Sequence, residues 1–231
     1  MILFGLILWF FTIVHKLILF FRNENKILNL LISFFLSISL LSFTYCLTLF
    51  TGFSFWVYQV LFFTIPLVFC IYKFKIIKDY SLFDFKIKNK ELAILLSSII
   101  GFTILFFLSS NRWGNWDAWT IWSLHAKFLT FESEFLLLFS EEIGWTHPDY
   151  PLMLPSIIAS IWKSLSTDSA LVPAFVSYFI SIAFMLTIFV SLKQSKFHAL
   201  SVVALIIFSC TNILITFGSY KYAETLFSCL L

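Results

Sequence analysis

No Lys, Arg, Asp or Glu interrupts the chain between Lys26 and Lys73. Two apolar runs, 27–50 and 53–72, fill that interval. Each matches the roughly 20 residues a helix needs to cross the hydrocarbon core of a bilayer. In lipid the backbone must satisfy its own hydrogen bonds, and a run of this length does so within one helix. Comparable runs occupy 1–21, 91–108, 171–192 and 198–217, and another begins at Thr225. The expectation is an all-α, polytopic transmembrane helical bundle in contact with a lipid bilayer.

Composition supports this. The chain is 61% hydrophobic, above the roughly 45–50% of soluble domains, and its mean hydropathy is +0.98. With only 6 Gly and 5 Pro it is not loop-rich. Met1 to Phe21 lacks a basic n-region and runs on toward further spans, so a first span is expected there rather than a cleaved leader. The run from Thr225 is too short to complete a span before Leu231, so the natural protein is expected to continue. Cys46, Cys70, Cys210 and Cys229 sit singly in apolar runs. Without a C-x-x-C or Cys/His spacing they read as small buried hydrophobes.

Sidedness follows from the Lys/Arg bias of short cytoplasmic loops. "KFKIIKDYSLFDFKIKNK" (73–90) carries six lysines and reads as a cytoplasmic face attracted to anionic head groups. The N-terminus and the 109–150 segment then fall outside. The short "PLMLPSIIASIWKSL" (151–165), with Pro151, Pro155, Trp162 and Lys163, suits an interfacial helix better than a span. All Lys/Arg except Arg112, Lys127, Lys163 and Lys221 then lie at the inner side. His15, Lys16 and His198 fall at inner boundaries, where snorkelling explains them. Three regions result: four transmembrane helices over 1–108, an external loop with juxtamembrane helices over 109–170, and further transmembrane helices over 171–231.

Polar residues that could carry chemistry gather outside, in three clusters. In "NWDAWTIW" (115–122), preceded by Trp113, tryptophans recur every three residues around Asp117. The tryptophans suit an interfacial anchor, since indole pairs an apolar body with a polar N–H. Asp117 reads either as a helix-start acid favoured by the dipole or as a working carboxylate. "THPDYP" (146–151) is a stiff turn. In it Asp149 could bond local N–H groups, or His147, Asp149 and Tyr150 could face a polar substrate. In "YKYAET", Lys221 and Glu224 sit at an external helix mouth. Acids meeting at one external site would suit hydroxyl activation by a general base and a divalent cation beside phosphate. No P-loop, G-x-G-x-x-G, H-E-x-x-H or G-x-S-x-G is present. The basic residues flank membrane runs, which gives nucleic-acid binding no support.

The order of these motifs resembles the bacterial branch of the GT-C membrane glycosyltransferases, related to protein O-mannosyltransferases and lipid A aminoarabinose transferases. Asp117 matches the essential acid of that family's first large external loop. "HPDYPLMLP" (147–155) resembles the family's "HPDYPLLLP", and Glu224 falls where "YADLP" normally shows an aspartate. The resemblance covers about 110–231. It implies a multi-pass enzyme of a bacterial plasma membrane that moves a sugar from a polyprenyl-phosphate donor to an acceptor outside, inverting the anomeric centre. On this likeness Asp117 activates the acceptor hydroxyl or, with Glu224, holds a divalent cation (Mg or Mn). His147, Asp149 and Tyr150 bind substrate, and Lys127 or Lys221 offsets phosphate charge. The competing expectations are a transporter or flippase component, or a non-catalytic membrane subunit. Spans nearly free of charge argue against the transporter, because pathways across membranes place polar residues within the spans.

Overall fold

The structure is a computed structural model in which residues 5, 7–13, 26–77, 88–131, 133–219 and 221 are described. Most of the lysine-rich 73–90 segment, much of the first apolar run, and 222–231 with Glu224 lie outside the described residues. The described chain is helical, with no strand. The long helices are α1 (Lys26–Thr51), α2 (Phe55–Ile77), α3 (Asn89–Ser109) and α6 (Leu171–Gln194). Between α3 and α6 lie a π-helix (Ala118–Ser123), α4 (Leu124–Leu129), two 3-10 helices (Phe135–Phe139, Glu141–Thr146) and α5 (Met153–Leu165). α7 (His198–Cys210) and α8 (Asn212–Ser219) follow.

Three of these helices are long and apolar enough to cross a membrane: Ile27–Thr51, Asn89–Ser109 and Leu171–Gln194. Phe43, Trp56, Val68, Ile71 and Leu108 are exposed on the outside of the bundle. Lipid would cover them at no hydrophobic penalty, so membrane character is stated by the surface as well as by length. Within 7–13, Trp9 Nε1 donates to Phe62 O at 3.0 Å, which docks that helical stretch on α2.

Sharp turns join the helices where the sequence supplies residues for them. α1 ends in a Schellman turn, with Phe53 N–H donating to Thr48 O and Gly52 N–H to Leu49 O. Gly52 sits at φ +71°, which glycine adopts without strain. α5 and α6 end in the same pattern, with Ser166 (φ 49°) and Lys196 (φ 66°) in the left-handed position.

The apolar run 198–217 is not one continuous helix. It breaks at Thr211, whose backbone is extended (φ −72°, ψ 126°), before Asn212 restarts it as α8. The polar Thr-Asn pair offers the backbone local alternatives to helical bonds, and the hydropathy of its neighbours hides that. The 151–165 stretch is a 13-residue helix, about 20 Å long and too short to span. Every residue from Leu154 to Ser160 is buried, so it is a packing element of the bundle rather than a helix merely resting on a surface.

Two apolar clusters hold the fold. One joins α1, α2, the π-helix, α4 and α5 through Phe35, Leu41, Tyr45, Tyr58, Trp122, Leu129, Ile157 and Trp162. Ser42 and Ser156 hydroxyls share a hydrogen bond of 2.6 Å across α1 and α5, and Tyr45 O–H donates to Leu129 O at 2.7 Å. Small side chains at such contacts allow close backbone approach in membranes. The second joins α3, α6, α7 and α8 through Phe102, Phe106, Met185, Phe189 and Leu205. α6 belongs to both, giving Ile180 and Ala183 to the first cluster. Lys193 and Glu91 pair at one end of α3 and α6, while Phe107 meets Phe175 near the opposite end. At that opposite end lie Thr51, the 110–150 segment and Ser219, since Phe50 contacts Phe135 and Ser110 Oγ donates to Ser219 O.

Candidate functional site

The Asp117 segment is built from a turn into a helix. After α3 the chain turns at Gly114 (φ 85°), whose N–H donates to Asn111 O. Asn115 then receives the start of the helix: its Oδ1 accepts from Trp116 N–H at 2.8 Å, and its carbonyl accepts from Ala118 and Trp119. Asn115 therefore caps this helix start, and Asp117 sits in its first turn. Asp117 itself has helical backbone (φ −61°, ψ −30°), no capping bond and an exposed side chain. Its carboxylate is left uncommitted among the described residues.

The winding after Asp117 changes the meaning of the tryptophan run. Trp113, Trp116 and Trp119 are exposed, as anchors at a membrane surface would be, but Trp122 is 4% exposed. The wider π-helical turn over Ala118–Ser123 carries Trp122 off the face its predecessors occupy. Trp122 stacks on Tyr150 (centroids 5.7 Å, 28°), and Tyr150 stacks on His147 (4.9 Å, 17°). The Asp117 helix and the "HPDYP" turn are thus brought together by three rings. His147 occupies the left-handed region (φ 57°), and Tyr150 N–H closes the turn onto His147 O. Asp149 is exposed and makes no local backbone bond among the described residues.

Beneath this stack lies His125, fully buried and not singled out by its sequence context. Thr146 Oγ1 donates its single hydrogen to Ile143 O at 2.8 Å. The 3.1 Å contact between Thr146 Oγ1 and His125 Nε2 must then have the imidazole as donor. That fixes the neutral tautomer with hydrogen on Nε2. Burial pushes the imidazole's pKa down to about 4, reinforced by neighbouring His147, so His125 is uncharged at neutral pH.

Lys127 meets a partner the sequence did not signal. Its ammonium donates to Asp168 at 3.0 Å, across 41 residues of chain, and holds that carboxyl below its ordinary range. Asp168 stands in the polar "STDS" turn set up by the left-handed Ser166 at the end of α5. A cleft of about 490 Å³ opens here, lined by Trp113, Gly114, Trp119, Lys127, Trp162 and Asp168 among others. A neighbouring cleft of about 430 Å³ shares Lys127, Trp162 and Asp168 and adds Lys163, Ser166 and Thr167. An apolar groove of about 620 Å³ runs between α1, α5 and α6 and reaches Leu165, the chain neighbour of Ser166.

Lys221 is 2% exposed. Its ammonium donates to Asn111 O and Arg112 O, both at 2.7 Å, and clasps the start of the Asp117 turn. Desolvation lowers its pKa to about 8. This is a positioning geometry, with two of the three ammonium hydrogens already used on carbonyls.

No family model, curated protein or solved structure matches this chain. The chemistry must be read from the arrangement itself. His147 and Tyr150 are joined through rings, Lys127 to Asp168, and Lys221 to the base of the Asp117 turn. Asp117 is not among the residues lining the clefts, although Trp113, Gly114 and Trp119 on either side of it are. Glu224 lies outside the described residues. Among the described residues no three His, Cys, Asp or Glu side chains form a metal-ligand group. No step below is routed through a cation.

Proposed function

We propose that this chain is a membrane glycosyltransferase of the GT-C type, moving a sugar from a polyprenyl-phosphate-linked donor to an acceptor hydroxyl at the external face of a bacterial cell membrane. The observation that carries the reading is Asp117: an exposed, uncommitted carboxylate on a helix start capped by Asn115 and clasped below by Lys221. A base must be free of other hydrogen bonds and fixed in place to accept a proton in the transition state. In the proposed step the acceptor oxygen attacks the anomeric carbon while its proton passes to the Asp117 carboxylate. The bond from that carbon to the phosphate oxygen breaks, and its electron pair leaves with the polyprenyl phosphate. Attack opposite the leaving group inverts the anomeric centre.

The clefts support the donor's chemistry. The apolar groove offers an isoprenoid chain a dry path. Past Leu165, Lys127 and Lys163 line the neighbouring cleft, and lysine is a phosphate-binding side chain. His147 and Tyr150 brace the wall behind Asp117 through Trp122.

The test is transfer of a radiolabelled sugar from its polyprenyl-phosphate carrier in membranes containing the chain. Asp117→Asn is expected to lower the rate by ~10²–10⁴-fold, the usual contribution of a general base, with expression and membrane insertion unchanged. Transfer at the wild-type rate by Asp117→Asn would reduce Asp117 to a helix-start acid and sink the assignment.

A further inference from the structure

The cleft of about 490 Å³ beside the Asp117 turn has a composition that the donor reading does not use. Its volume falls within the range of small-molecule sites. Trp113 and Trp119 line it and are 37% and 46% exposed, which leaves indole surface open to a ligand. Trp162 also borders it, but it is 2% exposed and its Nε1 already donates to Ser169 O at 2.9 Å, so it closes the back of the cleft and leaves ligand contact to Trp113 and Trp119. The charged lining is one ammonium and one carboxylate, Lys127 and Asp168, set against each other at 3.0 Å. Their charges cancel, and this part of the surface favours neither an anion nor a cation. Both side chains remain largely open, at 46% and 69% exposure, so a ligand can reach a donor and an acceptor side by side.

Neutral charge, apolar aromatic surface and a paired donor and acceptor describe the complement of one ligand class. A pyranose ring has C–H faces that lie against indoles and an edge of vicinal hydroxyls that both donate and accept. A quaternary ammonium head group would instead want aromatic surface with an uncompensated acid, and here Lys127 compensates Asp168. The geometry points to this cleft as the binding site of a neutral pyranose, which makes the acceptor a saccharide. The acceptor role rests on the transferase reading; the binding itself does not. Trp116 and Trp145 are also exposed but do not line the cleft.

The experiment is saturation-transfer NMR on the full chain in lipid nanodiscs. The probes are the methyl pyranosides of glucose, galactose, mannose and N-acetylglucosamine, with phosphocholine as the non-sugar arm. At least one pyranoside should receive saturation at its ring C–H protons. The Trp113→Ala/Trp119→Ala double variant should weaken that signal at least tenfold, while Trp145→Ala stays within twofold. Asp168→Asn, an exposed and isosteric change, should weaken the same pyranoside severalfold and serves where the double variant does not fold. Saturation of phosphocholine alone, of no pyranoside, or of a pyranoside unaffected by all cleft substitutions would overturn the inference. Asp117→Asn separates the two readings. Asp117-dependent transfer without pyranoside binding removes only the acceptor site, whereas pyranoside binding with Asp117-independent transfer removes only the catalytic assignment.

Discussion

The Lys221 ammonium donates to the carbonyl oxygen of Asn111 at 2.7 Å and so ties the turn after α8 to the loop that carries Asp117. Burial lowers its pKa from 10.5 to about 8. The folded state therefore holds this proton less tightly than the unfolded chain does. The resulting penalty is fully present below pH 8 and fades as pH rises from 8 toward 10.5. The difference in melting temperature between wild type and Lys221→Met, measured in nanodiscs, should move in favour of wild type across that window. A flat difference would mean that the ammonium is solvated.

His125 makes the opposite end of the pH scale informative. Its folded pKa of about 4 lies below the ordinary 6.5, so the unfolded chain binds the extra proton between those values. Stability should fall as pH drops from 6.5 to 4. Gln offers an Nε2–H in place of the imidazole's, so His125→Gln should flatten this acid slope while keeping the bond to Thr146. Thermal melts at pH 7 and pH 4.5 check it, and equal acid sensitivity in both proteins would refute a neutral buried imidazole.

How much of this was legible in the sequence depends on the range of the interaction. The runs 27–50, 91–108 and 171–192 emerge as α1, α3 and α6 because hydropathy sums over whole helices, and no single residue decides it. Thr211 escapes that sum: one polar pair inside an apolar run lowers the average little, yet it ends α7. Asp117 and the "HPDYP" turn could be picked out by residue type. The inward rotation of Trp122 could not, because three-residue spacing presumes an α-helix and the backbone there is wound as π. Asp168 and Lys127 are distant in sequence, and their pairing depends on where the Ser166 turn delivers the carboxylate. Glu224 lies outside the described residues.

The Tyr45 hydroxyl is a test of α1 packing. It donates to Leu129 O at 2.7 Å from a fully buried position. Tyr45→Phe leaves that carbonyl without this donor in a dry site and should cost about 1–3 kcal/mol. Denaturant unfolding in mild detergent would measure it, and a loss well under 1 kcal/mol would indicate that water replaces the hydroxyl.

The Lys127–Asp168 pair should matter little to stability, since ion pairs open to solvent are weakened by water and by the entropy of holding two mobile side chains together. A double-mutant cycle with Lys127→Met and Asp168→Asn is expected to give melting-temperature changes that nearly add, with any coupling smaller still at high salt. Strongly non-additive changes would recast the pair as structural. With weak coupling, any large loss of ligand binding in either variant reports the cleft itself.

The double membership of α6 has a consequence for how the protein is made. Phe102 and Phe106 of α3 find their cluster partners on α6, α7 and α8, all of which are synthesised later. In synthesis order α3 precedes these partners, so Phe102 and Phe106 cannot complete their cluster until α6 has followed. The arrival of α6 serves both clusters at once, because the same helix also packs against α1 and α5. Completion of the two halves is thus tied to a single helix, and neither can finish without the other's partner being present.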